Sequence, residues 1–150
     1  LQLIIKKDTQ ITPELIEENI GISKDYNNFE LRKAIGDKDH LKAYKIVKYF
    51  ADNPKDNPMV VTVSLLFSFF SQLLHLHGLH DKNPRAVASS LGVNPYFVND
   101  YLIAARNYPM KKVSAIITTL RDVDLKSKGV NSNSIPQRDL LQEMLVKIFN

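Results

Sequence analysis

Three histidines lie close together at His75, His77 and His80, and histidine is the commonest metal-binding side chain. A helical zinc site of the protease type needs two histidines four residues apart, with a glutamate between them. His75 and His77 are only two residues apart, so a helix would place them on different faces. We interpret the cluster as a polar helix end, where histidine is favourable near the negative end of the helix dipole. No metal site is predicted.

Motifs for phosphate binding and nucleophilic catalysis are absent from the sequence. The five glycines are all isolated, so they form neither a phosphate-binding loop nor a dinucleotide fingerprint. There is no cysteine, which excludes disulfides, a cysteine nucleophile and thiolate metal ligands. No Gly-x-Ser-x-Gly elbow exists. Glu14, Glu17 and Glu18 lie in or just after a predicted first helical turn, where acidic side chains stabilise the helix through its dipole. The sequence therefore predicts a protein without a catalytic site and without a cofactor.

DNA binding is the alternative function that the residues allow. Residues 84–98 have the rhythm of a helix-turn-helix, with Gly92 at the turn. The second helix would present aromatic side chains and Asp100, which repels phosphates, and its one basic residue, Arg106, lies near the far end. The spacing fits the motif but the chemistry does not, so a helix-turn-helix DNA-binding domain is kept as the alternative.

A lysine stripe is the second basic feature. Lys38, Lys42, Lys45 and Lys48 are spaced by four, three and three residues, which would place them on one helix face opposite an apolar stripe. The net charge of +4 permits contact with nucleic acid or with an acidic partner but does not require it. We favour a solvated face, and leave contact with a DNA backbone or an acidic neighbour open.

The elements that must position these residues are helices. Proline lies just inside predicted helix starts and glycine just beyond their ends, which is the order that helices prefer. Apolar residues then recur at helical spacing, and no hairpin dipeptide such as Asn-Gly occurs. We predict an all-α bundle of about seven helices. Eight candidate helix starts fall at Thr12-Pro13, Asn27 or Asn28, Asp37, Asn57-Pro58, Asn83-Pro84, Asn94-Pro95, Pro109 and Ser134, where Ser134 and Gln137 resemble a capping box.

The segment 59–74 is uncharged and rich in valine, leucine and phenylalanine. A membrane-spanning helix needs about 20 apolar residues, whereas this run is shorter, contains serine, threonine and glutamine, and then meets His75 and His77. A helix that is apolar nearly all round is typical of the centre of a soluble bundle. We predict a central core helix and no membrane segment.

Several motifs, in order along the chain, resemble one known family. They are Ile11–Gly21, Asn28–Asp37, Leu91-Gly-Val-Asn-Pro-Tyr-Phe-Val, Ala104-Ala-Arg-Asn-Tyr108 and Leu120-Arg-Asp-Val-Asp-Leu-Lys-Ser-Lys-Gly129. Together they are similar to the delta subunit of the bacterial DNA polymerase III clamp loader. Asp122 and Asp124 both precede Lys126, so the spacing leaves open which of them matches the family's aspartate.

The resemblance implies a function in assembly. Delta subunits are AAA+-like proteins that open the sliding clamp without hydrolysing ATP themselves, and their C-terminal helical domain joins the other loader subunits in a circular collar. Residues 1–24 would then be the end of the AAA+ lid, and residues 25–150 the clamp-loader collar. The expected partners are other clamp-loader subunits through the collar. The sliding clamp would be contacted only through an N-terminal domain that this chain, expected to be a fragment, lacks. DNA contact would be weak or indirect, and the protein cytoplasmic and bacterial.

The same motifs suggest interface residues. Asn94 and Pro95 would set a helix start, and Tyr96, with Phe97, would anchor that helix to its neighbours. Arg106, Asp124 and Lys126 would form a polar clasp between helices or across subunits, or would only cap and solubilise the helices. The candidate interface residues are therefore Asn94, Pro95, Tyr96, Arg106, Asp124 and Lys126.

Overall fold

The computed structural model describes residues 24–129 and 135–150, and these ranges contain seven α-helices and no strand. The all-α prediction is confirmed. The predicted helix from Thr12 to Gly21 and the capping role of Ser134 lie outside the described residues. The helices are α1 (Asn28–Gly36), α2 (His40–Asp52), α3 (Met59–His77), α4 (Pro84–Leu91), α5 (Val98–Asn107), α6 (Met110–Ser127) and α7 (Gln137–Phe149), and a 3-10 turn (Pro95–Phe97) precedes α5.

Most helix starts follow the predicted caps. Asn27 caps α1 by accepting a hydrogen bond from the Glu30 amide at 2.9 Å, which settles the choice between Asn27 and Asn28. The prediction that Asp37 caps α2 is wrong. Asp37 follows the last turn of α1, where its own amide bonds back to carbonyls of that helix, and Asp39 caps α2 instead. Only three residues separate the end of α1 from the start of α2, and the spacing of apolar residues does not show which of them caps α2.

Helix α3 organises the core. It packs along α6 and also contacts α1, α4 and α5, while α7 closes the bundle against α2 and α6. Its inner side buries a continuous apolar row that includes Leu66, Phe70 and Leu73, each at most 1% exposed. Burying one such side chain stabilises the fold by about 1.5–3 kcal/mol. The central position predicted for this helix is confirmed.

Helix α3 is also, among the described helices, the one long and apolar enough to cross a membrane by length and composition. Core helices of soluble proteins pass the same test, and the inner side of α3 packs against four other helices of the bundle. Its hydrophobicity is therefore accounted for in part by the core. The rest lies on an outer face, described below.

Tyr108 ties α5 to α1. Its hydroxyl donates to the Ile35 carbonyl at 2.6 Å, its ring is fully buried, and Asn107 donates to the Gly36 carbonyl at 2.8 Å. Burial raises the pKa of Tyr108, so the hydroxyl stays protonated and donates where an ordinary tyrosine would ionise.

We expect Tyr108→Phe to lower the free energy of unfolding by about 1 kcal/mol, because a buried hydrogen bond is lost while the ring is kept. The Ile35 carbonyl retains its bond from the Lys38 amide, which limits the cost. Urea denaturation measures the change, with Tyr44→Phe on the more exposed surface of α2 as the control. A Tyr108→Phe protein as stable as the wild type would show that this hydroxyl contributes nothing.

Candidate docking surface

The outer side of α3 exposes four apolar side chains, with the exposed Ser64 and Ser68 between them. Val60, Val61, Leu65 and Phe67 are 49%, 44%, 46% and 38% exposed, and the 19 residues of α3 include no aspartate, glutamate, lysine or arginine. We call these four residues the α3 face. The sequence prediction missed it, because a helix apolar nearly all round was interpreted as buried. Four large apolar side chains exposed on one side of a helix are a candidate protein interaction site.

A groove runs along the edge of this face, between α3 and α6. Its volume is about 370 Å³, and Phe67 and Val63 line one wall while Leu120 lines the other. Arg121, Asp124 and Lys128 form a charged rim on the α6 side. An apolar floor with a charged rim on one side is the arrangement of a protein–protein interface, where the centre is apolar and the edge polar.

Lys126 clasps α6 to α7. Its ammonium lies 3.2 Å from the Asp122 carboxylate on its own helix and 3.2 Å from the Glu143 carboxylate on α7. This part of the predicted polar clasp is therefore a contact between helices. Asp122 is the aspartate that pairs with Lys126, whereas Asp124 pairs with Lys128 at 3.0 Å.

Glu143 is the acidic centre of this network. Hydrogen bonds from Lys147 and then from Lys126 lower the pKa of Glu143 below its usual value, against a smaller opposing effect of burial. The folded-state pKa lies below the unfolded value of about 4.3. The ion pairs therefore stabilise the fold above that pH, and this stability is lost as the pH falls through the folded-state pKa.

We expect the urea midpoint of the wild type to fall on acidification from about pH 5 towards pH 3, and Glu143→Gln to reduce that fall. The contribution of Glu143 should be under about 1 kcal/mol, since the network is solvent-exposed and screened by salt. Urea titrations at several pH values measure it. Identical pH profiles for the two proteins would contradict this assignment.

The other candidate residues lie apart from Lys126. Arg106 is exposed in the last turn of α5, while Asp124 lies on the rim of the groove. The three residues Arg106, Asp124 and Lys126 therefore do not form one clasp. Asp124 is the member of the set that borders the α3 face.

Asn94 and Pro95 start the 3-10 turn, as predicted. The Asn94 side chain accepts a hydrogen bond from the Tyr96 amide at 2.9 Å, and Pro95 occupies the first position of the turn. The prediction that Tyr96 anchors the helix is wrong, because Tyr96 is 83% exposed. Phe97 does so alone, packing edge-on against Phe29 with ring centroids 5.4 Å apart.

The predicted lysine stripe is only partly formed. Lys38 lies before α2 in the left-handed conformation (φ 57°), and its ammonium lies over the Tyr108 ring. The predicted four-lysine stripe on one helix is therefore reduced to Lys42, Lys45 and Lys48. Lys42 pairs with Glu30 at 2.7 Å. The remaining stripe lies on the outer side of α2.

The histidines form no metal cluster within the part of the chain that the structure describes. His75 and His77 lie in the last turn of α3, and His80 follows that helix. The His77 Nε2 atom is 2.7 Å from the Tyr108 carbonyl. The interpretation of this segment as a polar helix end agrees with its place in the fold.

The segment proposed as a helix-turn-helix forms α4, a turn at Gly92 in the left-handed conformation (φ 66°) and the 3-10 turn before α5. The second helix buries Val98, Tyr101 and Ala104, and its Asp100 pairs with Lys33 at 3.5 Å. Neither the contacts of this segment nor the comparisons below favour DNA recognition.

Comparison with solved structures gives the class of this protein. The fold matches the Bacillus subtilis DNA clamp loader delta protein (YqeN) with a TM-score of 0.67 and 20% sequence identity. The match covers 93% of this chain and 40% of that protein, so the chain spans less than half of its length. No curated protein is significantly similar to the chain in sequence.

The fold is therefore that of the clamp-loader C-terminal domain. The sequence model of the family "DNA polymerase III delta subunit, C-terminal domain" matches residues 25–148, and the chain belongs to this family. It is a non-catalytic, all-helical assembly domain of the DNA polymerase III complex. The family, the fold and the assembly role predicted from the resemblance are confirmed.

Proposed function

We propose that this domain joins a clamp loader by docking its α3 face, with the neighbouring groove, against other loader subunits. The observation that carries the proposal is the exposure of Val60, Val61, Leu65 and Phe67 on a helix without aspartate, glutamate, lysine or arginine. Water contact with such a surface is unfavourable, and burial against a partner removes it. Asp124 on the rim would contribute orientation more than affinity.

The proposal extends to the division of the chain and to its partners. Residues 25–150 would be the collar domain and residues 1–24 the end of the AAA+ lid; the family match to residues 25–148 supports this division. The sliding clamp would be contacted through a part of the protein outside this chain. The protein would act in the cytoplasm, and any DNA contact of this domain would be weak and independent of sequence.

Reconstitution tests the proposed function. The chain is mixed with the other clamp-loader subunits and the mixture is separated by size-exclusion chromatography. We expect the chain to co-elute with the complex. A chain that elutes alone under conditions in which the other subunits assemble would contradict the proposal.

Fluorescence anisotropy with labelled duplex DNA separates this proposal from the helix-turn-helix alternative. We expect weak binding that is lost on raising the salt concentration and does not depend on sequence. Sequence-specific binding that is lost on replacing Asn94, Tyr96 or Asn99 would favour the alternative.

A further inference from the structure

Four side chains form an aromatic ledge where α1 meets the turn before α5. The ledge consists of Phe29 and Arg32 on α1, and Tyr96 and Phe97 in the turn. Ring centroids are 5.0 Å apart for Tyr96 and Phe97 and 5.4 Å apart for Phe29 and Phe97. Tyr96 is 83% exposed and Phe29 is 41% exposed. The fold therefore presents a connected aromatic surface to solvent.

The Arg32 guanidinium lies on the aromatic rings rather than on an acid. Its central carbon is 4.8 Å from the Phe29 ring centroid and 5.6 Å from those of Phe69 and Tyr101. Within residues 24–129 and 135–150 it forms no ion pair, and nearby Asp100 pairs with Lys33. A guanidinium that stacks on rings keeps N–H groups along its edge for a carboxylate.

The ledge borders the α3 face on the side away from α6. The Asn28 side chain at the start of α1 accepts a hydrogen bond from the Thr62 hydroxyl at 2.8 Å, which fixes α1 beside the first turns of α3. Arg32 also covers Phe69, one turn beyond Leu65 of the α3 face. A partner seated on Val61 and Leu65 would therefore reach the guanidinium.

We propose that the aromatic ledge recognises an acidic side chain, flanked by apolar residues, on the loader subunit that docks on the α3 face. This inference rests on the proposed function and adds a specificity-determining contact to it. The α3 face contributes buried apolar area to binding, and apolar area alone discriminates poorly between partners. Arg32 pairs with one carboxylate, and Tyr96 packs against the apolar residues beside it. Tyrosine and arginine are both enriched at interface hot spots.

The charges around the ledge favour a protein over a nucleic acid. Glu30 is paired with Lys42, and Lys33 lies between Asp37 and Asp100. These two lysines and three carboxylates, together with Arg32, carry no net charge, so the ledge is not a positively charged groove. Binding to single-stranded nucleic acid needs a positively charged groove in addition to stacking rings.

The test measures the affinity of the chain for the other loader subunits by titration calorimetry at low and high salt. We compare the wild type with Arg32→Gln and Tyr96→Ala, and use Arg85→Gln and Tyr44→Ala as matched controls on other faces. We expect Arg32→Gln to weaken binding by about tenfold or more and to make the affinity less dependent on salt concentration. Tyr96→Ala should weaken binding by about tenfold, and the controls should bind as the wild type does.

Each outcome decides a different point. Because Tyr96 is exposed, its variant tests the ledge even if Arg32→Gln loosens α1, which thermal unfolding monitors. Wild-type affinity and salt dependence in both ledge variants would overturn this inference and leave the proposed function intact. A wild-type chain that binds no loader subunit would overturn both. Loss of binding to a labelled oligothymidylate on Tyr96→Ala, with subunit affinity unchanged, would replace the protein partner by single-stranded DNA.

Discussion

Replacing both Val60 and Phe67 with glutamate is expected to prevent the chain from entering a complex with the other loader subunits. Val60 and Phe67 line the groove beside α6 and are exposed in the isolated chain. In the complex the two carboxylates would be buried against apolar surface without a partner, which is strongly unfavourable. We expect the affinity to fall by at least about 30-fold, since aromatic residues central to an interface contribute about 2 kcal/mol or more.

The fold should tolerate this change. Both side chains are partly exposed in the isolated chain, so the free energy of unfolding should fall by no more than about 2 kcal/mol. Leu41→Glu is the matched control, because Leu41 is 67% exposed on α2, away from the groove. Size-exclusion chromatography and calorimetry with the loader subunits measure the effect. If the double variant assembles with wild-type affinity, the docking surface is not the α3 face.

Replacing Phe70 with alanine is expected to have the largest effect on stability among the changes considered. Phe70 is fully buried on the inner side of α3, and its ring meets that of Tyr108 edge-on with centroids 5.4 Å apart. The change removes a large apolar side chain and leaves a cavity, which costs about 3–5 kcal/mol. Since natural domains are stable by about 5–15 kcal/mol, the variant should be close to unfolding.

Urea denaturation measures this loss as a lower midpoint with an unchanged slope. Phe67→Ala provides the comparison on the same helix: its ring is 38% exposed, and the expected loss is about 1 kcal/mol. A Phe70→Ala variant that loses no more stability than Phe67→Ala would show that α3 does not form the core in this way.

The helix ends and the family could be predicted from the sequence, because both depend on local signals. Asn27, Asn83 and Asn94 accept hydrogen bonds from amides two or three residues further on, and these contacts are set by neighbours along the chain. The family motifs likewise consist of short segments in a given order. The error at Asp37 arose where one helix ends and the next begins within three residues, because two local signals then compete.

The candidate site was predicted less well, because exposure and pairing depend on the whole fold. Helical periodicity identified the apolar residues of α3 but could not distinguish Phe67 from Phe70. Phe70 is fully buried against Tyr108, whereas Phe67 lies at the edge of the groove beside α6. In the same way, Tyr96 was expected to anchor a helix to its neighbours and is exposed, and the acid on α7 that pairs with Lys126, Glu143, was not predicted.

The sequence by itself determined the helical class, most of the helix starts and the membership of the clamp-loader delta family, since these follow from residue types at short spacing. The tertiary structure decided which apolar side chains remain exposed on α3 and which cations lie beside acids or rings. The physical reason is that burial and charge pairing are set by residues far apart in sequence. Phe29 and Phe97, for example, become neighbours only when α1 and the turn before α5 pack together.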